Sequence, residues 1–114
     1  MPAPISVVIP TLNAEAEISG CLGALMPGLA SGLIREVIVV DGGSTDRTIL
    51  PASQTGARVI RSAPGRGRQL RTGGLNARGD WLLFLHADTQ LEKHWPECLV
   101  EHMAASPESA AVFE

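Results

Sequence analysis

Short runs of branched apolar residues alternate along this chain with segments that carry helical apolar stripes, and this alternation constrains the fold most. The runs occupy residues 5–9, 36–40, 57–60 and 81–85, and a fifth begins near residues 110–113. Strands that alternate with helices form parallel sheets, because each parallel strand is reached by a crossover that is usually helical. We therefore predict an α/β fold of three layers, α/β/α, whose mostly parallel sheet has the strand order 3-2-1-4.

The helical segments between these runs have recognisable ends. Asn13 is a candidate cap for a first helix, which we expect to end at Pro27. Its core-facing stripe is Ile18, Cys21, Leu22 and Leu25. Ser44 or Thr45 is expected to cap a second helix, residues 66–78 to pass from loop to helix, and Pro96 to open a fourth helix.

Size and charge limit the classes of function. The 114 residues suit one domain, and the net charge of −3 argues against general binding to nucleic acid or to a membrane surface. No apolar run approaches the roughly 20 residues of a membrane span, and the two cysteines are far apart, so we expect a reduced, cytoplasmic location. Because the sequence stops where a strand begins, we expect residues 1–114 to be one truncated domain. Its open sheet edge could pair with a second copy.

Polar residues follow three of the predicted strands. Thr11 and Asn13 come after the first, Asp41 after the second and Asp88 after the fourth. In the order 3-2-1-4 the first and fourth strands flank a topological switch point, where open α/β sheets bind ligands. Asp88 is suited to hold a divalent metal against a phosphorylated ligand. Asp41 is either a ligand contact to a base or ribose, or a turn-forming residue before two glycines.

Two further groups have open interpretations. Arg66, Arg68 and Arg71 are either a solvated helix face or, in part, contacts to a diphosphate. His86 is a second metal ligand, a hydrogen-bond donor to a sugar-phosphate, or a structural residue. No P-loop occurs, and no GxGxxG follows the first strand.

Three segments in this order resemble family 2 glycosyltransferases. Residues 6–15 (SVVIPTLNAE) resemble the opening strand and its Pro-x-x-Asn loop, and residues 36–48 (EVIVVDGGSTDRT) resemble the second strand and its acidic loop. Residues 65–89 resemble the segment that leads into the Asp-x-Asp metal motif, here His-Ala-Asp, as in a small cytosolic subgroup. The resemblance implies a GT-A fold with a Rossmann-like sheet and a nucleotide-diphosphate sugar donor, commonly a UDP-sugar.

The resemblance also implies roles for individual residues. Asp41 would contact the base, with Ser44 beside it, and Asp88, with His86 in place of the first Asp, would hold Mn²⁺ or Mg²⁺ on the diphosphate. The residues expected to bind the donor nucleotide are Pro10, Thr11, Asn13, Glu15, Asp41, Ser44, Arg66 and Arg68. Arg71 departs from the family, where many members have Asn.

We therefore interpret the chain as the donor-binding half of an inverting, metal-assisted glycosyltransferase with an unknown acceptor. The catalytic base is expected beyond Glu114, because the second half of such enzymes builds the acceptor site. Two alternatives remain at this point. One is a non-catalytic module that binds a nucleotide or a protein partner, and the other is a nucleotidyltransferase on a similar scaffold.

Overall fold

A parallel sheet runs through the computed structural model, which describes residues 5–87 and 111–112. The elements in chain order are β1 (Ile5–Thr11), α1 (Glu15–Ala30), β2 (Ile34–Asp41), α2 (Ile49–Gln54), β3 (Arg58–Arg61), α3 (Arg66–Asn76), β4 (Trp81–Phe84) and β5 (Ala111–Val112). The hydrogen-bonded order is β3-β2-β1-β4-β5, and every neighbouring pair is parallel. The predicted α/β class and the order 3-2-1-4 are confirmed, and β5 continues the sheet beyond β4.

Alternate residues of β1 face opposite sides of the sheet and bury two separate cores. Val7 belongs to the larger core, which includes the stripe of α1 and Ala52 of α2. Val8 belongs to the smaller core, against which Leu70 of α3 packs. Helices α1 and α2 therefore cover one face and α3 the other, which confirms the three layers.

The first helix departs from prediction at both ends. It continues to Ala30 with Pro27 inside it, so the predicted stop at Pro27 was wrong. Proline removes one backbone hydrogen bond, but Pro27 is exposed in the last turn while Gly28 is still buried against the core. The cap position belongs to Ala14, and Asn13 does not cap the helix.

The second helix begins later than expected. It starts at Ile49 after Thr48, so the prediction that Ser44 or Thr45 caps it was wrong. Those two residues lie in the β2–α2 loop and bond to Asp41 and Asn13 instead. Their hydrogen-bonding groups are thus used between loops and not at the helix start.

A partly buried carboxylate joins the amino ends of the strands. Glu36 accepts hydrogen bonds from the Ser6 hydroxyl at 2.7 Å, the Arg58 guanidinium at 3.0 Å and the Arg78 amide at 2.6 Å. Burial acts to raise its pKa, but these donors outweigh burial and the pKa is lowered. The edge strand β3 and the α3–β4 loop are thereby anchored to the centre of the sheet.

The glycine at position 73 sets how closely α3 approaches the sheet. A Cβ atom there would lie 2.2 Å from the Val8 Cγ1 atom and 3.1 Å from the Val40 Cγ2 atom. Gly73 thus weakens the helix by its own propensity but permits contact with β1 and β2. At Gly74 the nearest atom to such a Cβ, Leu82 Cδ1, is at 3.6 Å, which is ordinary contact.

The remaining predictions fall partly beyond the described residues. The third and fourth strands and the loop-to-helix transition of α3 agree with prediction to within one or two residues. The helix expected at Pro96 lies outside the described residues, as does Asp88. Within residues 5–87 and 111–112, every helix is too short or too polar to cross a membrane.

Gly73→Ala is expected to destabilise the fold by about 1–3 kcal/mol, because the added methyl overpacks the interface with Val8. Gly74→Ala is the matched control, and we expect it to be neutral or to stabilise by up to about 1 kcal/mol through helix propensity. Urea unfolding of both variants measures the difference. Equal midpoints for the two variants would show that the close approach at Gly73 does not limit packing.

Candidate donor-binding cleft

The carboxyl ends of β1 and β2 meet side by side at one edge of the sheet. Thr11 and Asp41 are paired in the β1–β2 register. The Thr11 hydroxyl donates to the Asp41 Oδ1 atom at 2.9 Å. Parallel pairing therefore brings together two polar residues that lie far apart in sequence, as the sequence analysis expected for this edge.

Asp41 is a buried carboxylate that the protein saturates with hydrogen bonds. Besides Thr11, it accepts from the Ser44 hydroxyl at 2.6 Å, the Ser44 amide at 2.8 Å and the Gly43 amide at 3.1 Å. Burial acts to raise the pKa of Asp41, but the donors from Ser44, Thr11 and Gly43 outweigh burial and lower it. Because a carboxylate has about four acceptor positions, little capacity is left for a ligand.

The β1–α1 and β2–α2 loops are bonded directly to each other. The Asn13 backbone has φ 51°, and its side-chain oxygen accepts from the Thr45 amide at 2.8 Å. The backbone N–H of Asn13 donates to the Ser44 hydroxyl at 2.8 Å. Asn13 therefore joins the loops, and this use of its side chain explains why it does not cap α1.

The amino end of α1 is satisfied by the neighbouring loop instead of by its own residues. The Ala14 amide donates to the Thr48 hydroxyl at 2.9 Å, and the Glu15 amide donates to an Asp46 carboxylate oxygen at 3.2 Å. The Thr48 hydroxyl and amide also donate to Asp46, and these bonds lower the pKa of Asp46. The anion thus lies at the positive end of the α1 dipole.

A cleft of about 460 Å³ lies against this edge, between the β1–α1 loop, the start of α3 and the end of β4. This volume is in the range typical of small-molecule sites. The lining residues are Pro10, Thr11, Leu12, Asn13, Ala14, Glu17, Gly65, Arg66, Gln69, His86 and Ala87. The cleft thus lies between β1 and β4, at the switch point expected from the strand order.

Gln69 joins the strand ends to the start of α3. Its side chain is 4% exposed, and its Nε2 atom donates to the backbone oxygens of Thr11 and Val40, both at 2.9 Å. Its Oε1 atom accepts from the Gly65 amide at 3.2 Å. One amide therefore satisfies two carbonyls at the ends of β1 and β2 and one N–H at the start of the helix.

The end of β4 is held in place by backbone contacts. The Leu85 amide donates to the Val8 carbonyl at 3.0 Å, which extends the pairing with β1 past the strand. The Cys21 thiol lies 3.8 Å from the His86 carbonyl oxygen. His86 is half-buried at the cleft, and Asp88 follows it by two residues in the sequence.

Comparison with known proteins identifies the family. The model of glycosyl transferase family 2 matches residues 6–114. The chain belongs to glycosyl transferase family 2. The predicted membership of this family is confirmed.

Two relatives that this chain resembles are longer than the chain. Glucosyl-3-phosphoglycerate synthase of Mycobacterium tuberculosis strain H37Rv is 39% identical over 93 residues, which are 74% of this chain and 28% of that protein. A PGL/p-HBAD biosynthesis glycosyltransferase of Mycobacterium bovis BCG is 37% identical over 105 residues, 80% of this chain and 38% of that protein. This chain therefore spans about three- to four-tenths of the length of these relatives.

A solved structure of one of these relatives has the same fold. The crystal structure of glucosyl-3-phosphoglycerate synthase from M. tuberculosis with Mn²⁺, uridine-diphosphate and glucosyl-3-phosphoglycerate superposes with a TM-score of 0.73 at 32% identity. The match covers 95% of this chain and 40% of the solved one. The GT-A fold expected from the resemblance is confirmed.

Apart from Asp88, which lies outside the described residues, the predicted site residues of this family 2 chain fall into two groups. Those lining the cleft are Pro10, Thr11, Asn13, Arg66 and His86. Glu15, Asp41, Ser44 and Arg68 do not line it. Of that second group, Asp41 and Ser44 form the hydrogen-bonded support behind the cleft, while Arg68 lies exposed on α3.

Two polar residues of the cleft were missed by the sequence analysis. Glu17 lies one helical turn after Ala14 and reaches the cleft from α1. Gln69 reaches the cleft from α3, on the same face as Gly73 and Arg66. The available signal was helical spacing, since residues 66, 69 and 73 fall at i, i+3 and i+7 of α3; of these, Gln69 and Gly73 are buried and Arg66 is exposed at the cleft.

Asp41→Asn is expected to lower the free energy of unfolding by about 1–3 kcal/mol near neutral pH, because asparagine has one acceptor oxygen in place of two. If that oxygen accepts from the Gly43 and Ser44 amides, the NH2 group replaces the oxygen to which the Thr11 and Ser44 hydroxyls donate. Because folding lowers the pKa of Asp41, the ionised carboxylate stabilises the fold at pH values above 3.8, the ordinary pKa of an Asp side chain. That stabilisation is lost as pH falls through the lower folded-state pKa.

The measurement is urea unfolding of wild type and Asp41→Asn over a pH series that extends below 3.8. The difference in free energy of unfolding between wild type and Asp41→Asn should be largest at neutral pH and should disappear at the lowest pH. Glu36 titrates in both proteins and so cancels in the comparison. A gap that is independent of pH would contradict the role assigned to the Asp41 charge.

Proposed function

We propose that this chain is the donor-binding part of an inverting, metal-assisted transferase that uses a UDP-sugar. The observation that carries the proposal is the cleft between β1 and β4, which brings Thr11, Asn13, Arg66 and His86 together at the carboxyl edge of the sheet. Support comes from the solved relative, whose crystals contain Mn²⁺ and uridine-diphosphate. Family membership also favours glycosyl transfer over nucleotidyl transfer.

The nucleoside is proposed to lie along the β1–α1 loop. The cleft is lined by Pro10, Thr11 and Asn13, and Asn13 bonds this loop to the β2–α2 loop. The Ser44 amide and hydroxyl both donate to Asp41. We therefore propose that these two residues fix the conformation of the loop against which the nucleobase binds. Direct contact of Asp41 with a base would require one of its protein donors to be displaced.

The diphosphate is proposed to lie between Arg66 and the end of β4. Arg66 lines the cleft from the first turn of α3, and a guanidinium can pair two phosphate oxygens at once. Arg68 lies outside the cleft lining, which makes Arg66 the stronger candidate of the two.

A divalent metal is proposed to bind at the end of β4, where His86 and Asp88 follow the strand in the sequence. Within residues 5–87 and 111–112, no three His, Cys, Asp or Glu side chains form a metal site. Asp88, with His86, would hold the metal, and an imidazole beside a carboxylate suits Mn²⁺ better than Mg²⁺. When bound, the metal would supply Lewis-acid stabilisation of the leaving diphosphate.

The transfer itself is proposed to need residues beyond this cleft. An acceptor hydroxyl would attack the anomeric carbon of the sugar, the bond to the diphosphate would break, and a base would take the hydroxyl proton. We assign that base to a region beyond Glu114. On this proposal residues 1–114 are a single nucleotide-sugar-binding domain; its cytoplasmic location and its pairing through the open sheet edge stay predictions.

The chain is expected to bind UDP more tightly when Mn²⁺ is present, and Asp88→Ala is expected to lose roughly tenfold in that affinity, about 1.4 kcal/mol. Isothermal calorimetry with UDP, with and without Mn²⁺, measures both effects, and GDP tests the choice of base. Asp80→Ala is the matched control, since Asp80 is an exposed acid before β4. Equal binding by wild type and Asp88→Ala would refute the metal role, and absence of UDP binding would refute the function.

Arg66→Ala is expected to weaken UDP binding by about tenfold, because a charge-assisted hydrogen bond to phosphate is lost. Uridine binding should change little, since the nucleoside lies on the other side of the cleft. Arg68→Ala, in the same helix turn, should leave UDP affinity unchanged. Similar losses in both variants would instead indicate a general effect of positive charge.

A further inference from the structure

We infer that Gln69 is a positioning residue, which holds the Arg66 side of the cleft at a fixed distance from the strand ends. The inference rests on the proposed function for the identity of the ligand, a nucleoside diphosphate. Arg66 and Gln69 are three residues apart and lie on adjacent turns of one helix face. Gln69 therefore acts on the diphosphate through Arg66.

The start of α3 depends on Gln69 for its attachment to the sheet. Gly65 precedes the helix with φ 137°, and no side chain caps this end. The Gly65 amide donates to Gln69, and the other hydrogen bonds described for residues 63–68 stay within the segment and the helix. The nearest other tie is the Ser62 amide, which donates to the Asp41 carbonyl at 2.9 Å.

The strand ends do not depend on Gln69 in the same way. β1 is paired with β2 over its whole length and with β4 over four residues. The Thr11 carbonyl also accepts from the Gly42 amide at 2.9 Å. Loss of Gln69 should therefore free the first turn of α3, while Thr11 and the nucleoside side of the cleft keep their positions.

Gln69 thus holds the start of α3 more than it holds the strand ends. Loss of the Gln69 hydrogen bonds should weaken binding of the diphosphate part of the ligand more than binding of the nucleoside part. A residue with a merely structural role would lower affinity for both parts alike, or for neither. It would also act independently of Arg66.

The test is a double-mutant cycle between Gln69→Met and Arg66→Ala, read as UDP affinity in the presence of Mn²⁺. Methionine keeps the length of the glutamine side chain but makes none of its three hydrogen bonds. We expect Gln69→Met alone to weaken UDP binding roughly fivefold to tenfold, and less than about twofold when Arg66 is already alanine. Additive losses would overturn the inference.

A second variant covers the case in which Gln69→Met does not fold. Gly65→Ala leaves Gln69 in place but puts a side chain at φ 137°, which L-residues rarely adopt. We expect the same selective loss of UDP affinity over uridine affinity. Unchanged UDP affinity in Gly65→Ala would count against the inference.

Hydrogen exchange separates this inference from the proposed function, because it needs no ligand. In Gln69→Met, or in Gly65→Ala if the former does not fold, the amides at positions 69 and 70, the first in α3 with intrahelical acceptors, should exchange faster, whereas those of β1 should keep their protection. Unchanged exchange at the start of α3 overturns the role of Gln69 even if UDP binds. Faster exchange there, together with a wild type that binds no UDP, refutes the function and leaves the positioning role standing.

Discussion

The buried charge of Asp41 is the constraint on which the structure at the carboxyl ends of β1 and β2 depends. A carboxylate that is 1% exposed is costly unless it is fully hydrogen-bonded, and here the donors come from β1 and from the loop that follows β2. Strand pairing sets Thr11 beside Asp41, and satisfying the charge orients the Thr11 hydroxyl and the Ser44 amide and hydroxyl towards the carboxylate. Ser44 then accepts from Asn13, so the position of the β1–α1 loop follows from the position of one anion.

The sequence predicted those features that depend on local periodicity. Branched apolar runs predicted the strands, the stripe of α1 predicted its buried face, and alternation predicted the parallel order. It could not predict that Asp46 and Thr48 would satisfy the start of α1, because those bonds span 31 and 34 residues. Asn13 before a helix is an ordinary cap by local rules, and only the neighbouring loop makes it a bridge between loops.

The same distinction explains which candidate site residues reach the cleft. Thr11 ends β1, Asn13 follows it and His86 follows β4, so the order of the sheet is enough to bring these three residues together. Asp41 also follows a strand end, but whether its oxygens face a ligand or the protein depends on donors that the sequence pattern does not reveal. Gln69 was missed for a related reason, since its importance lies in three partners from three different segments.

Charge balance in the cleft links Arg66 to the end of β4. In the described part of the chain, Arg66 forms no ion pair, whereas Arg58 is bonded to Glu36 at 3.0 Å. A nucleoside diphosphate carries more negative charge than one guanidinium can neutralise, and Glu17 adds an acid to the same lining. On the proposed function a second positive centre is therefore needed, and this is the role proposed for a metal held by the His-Ala-Asp sequence that follows β4.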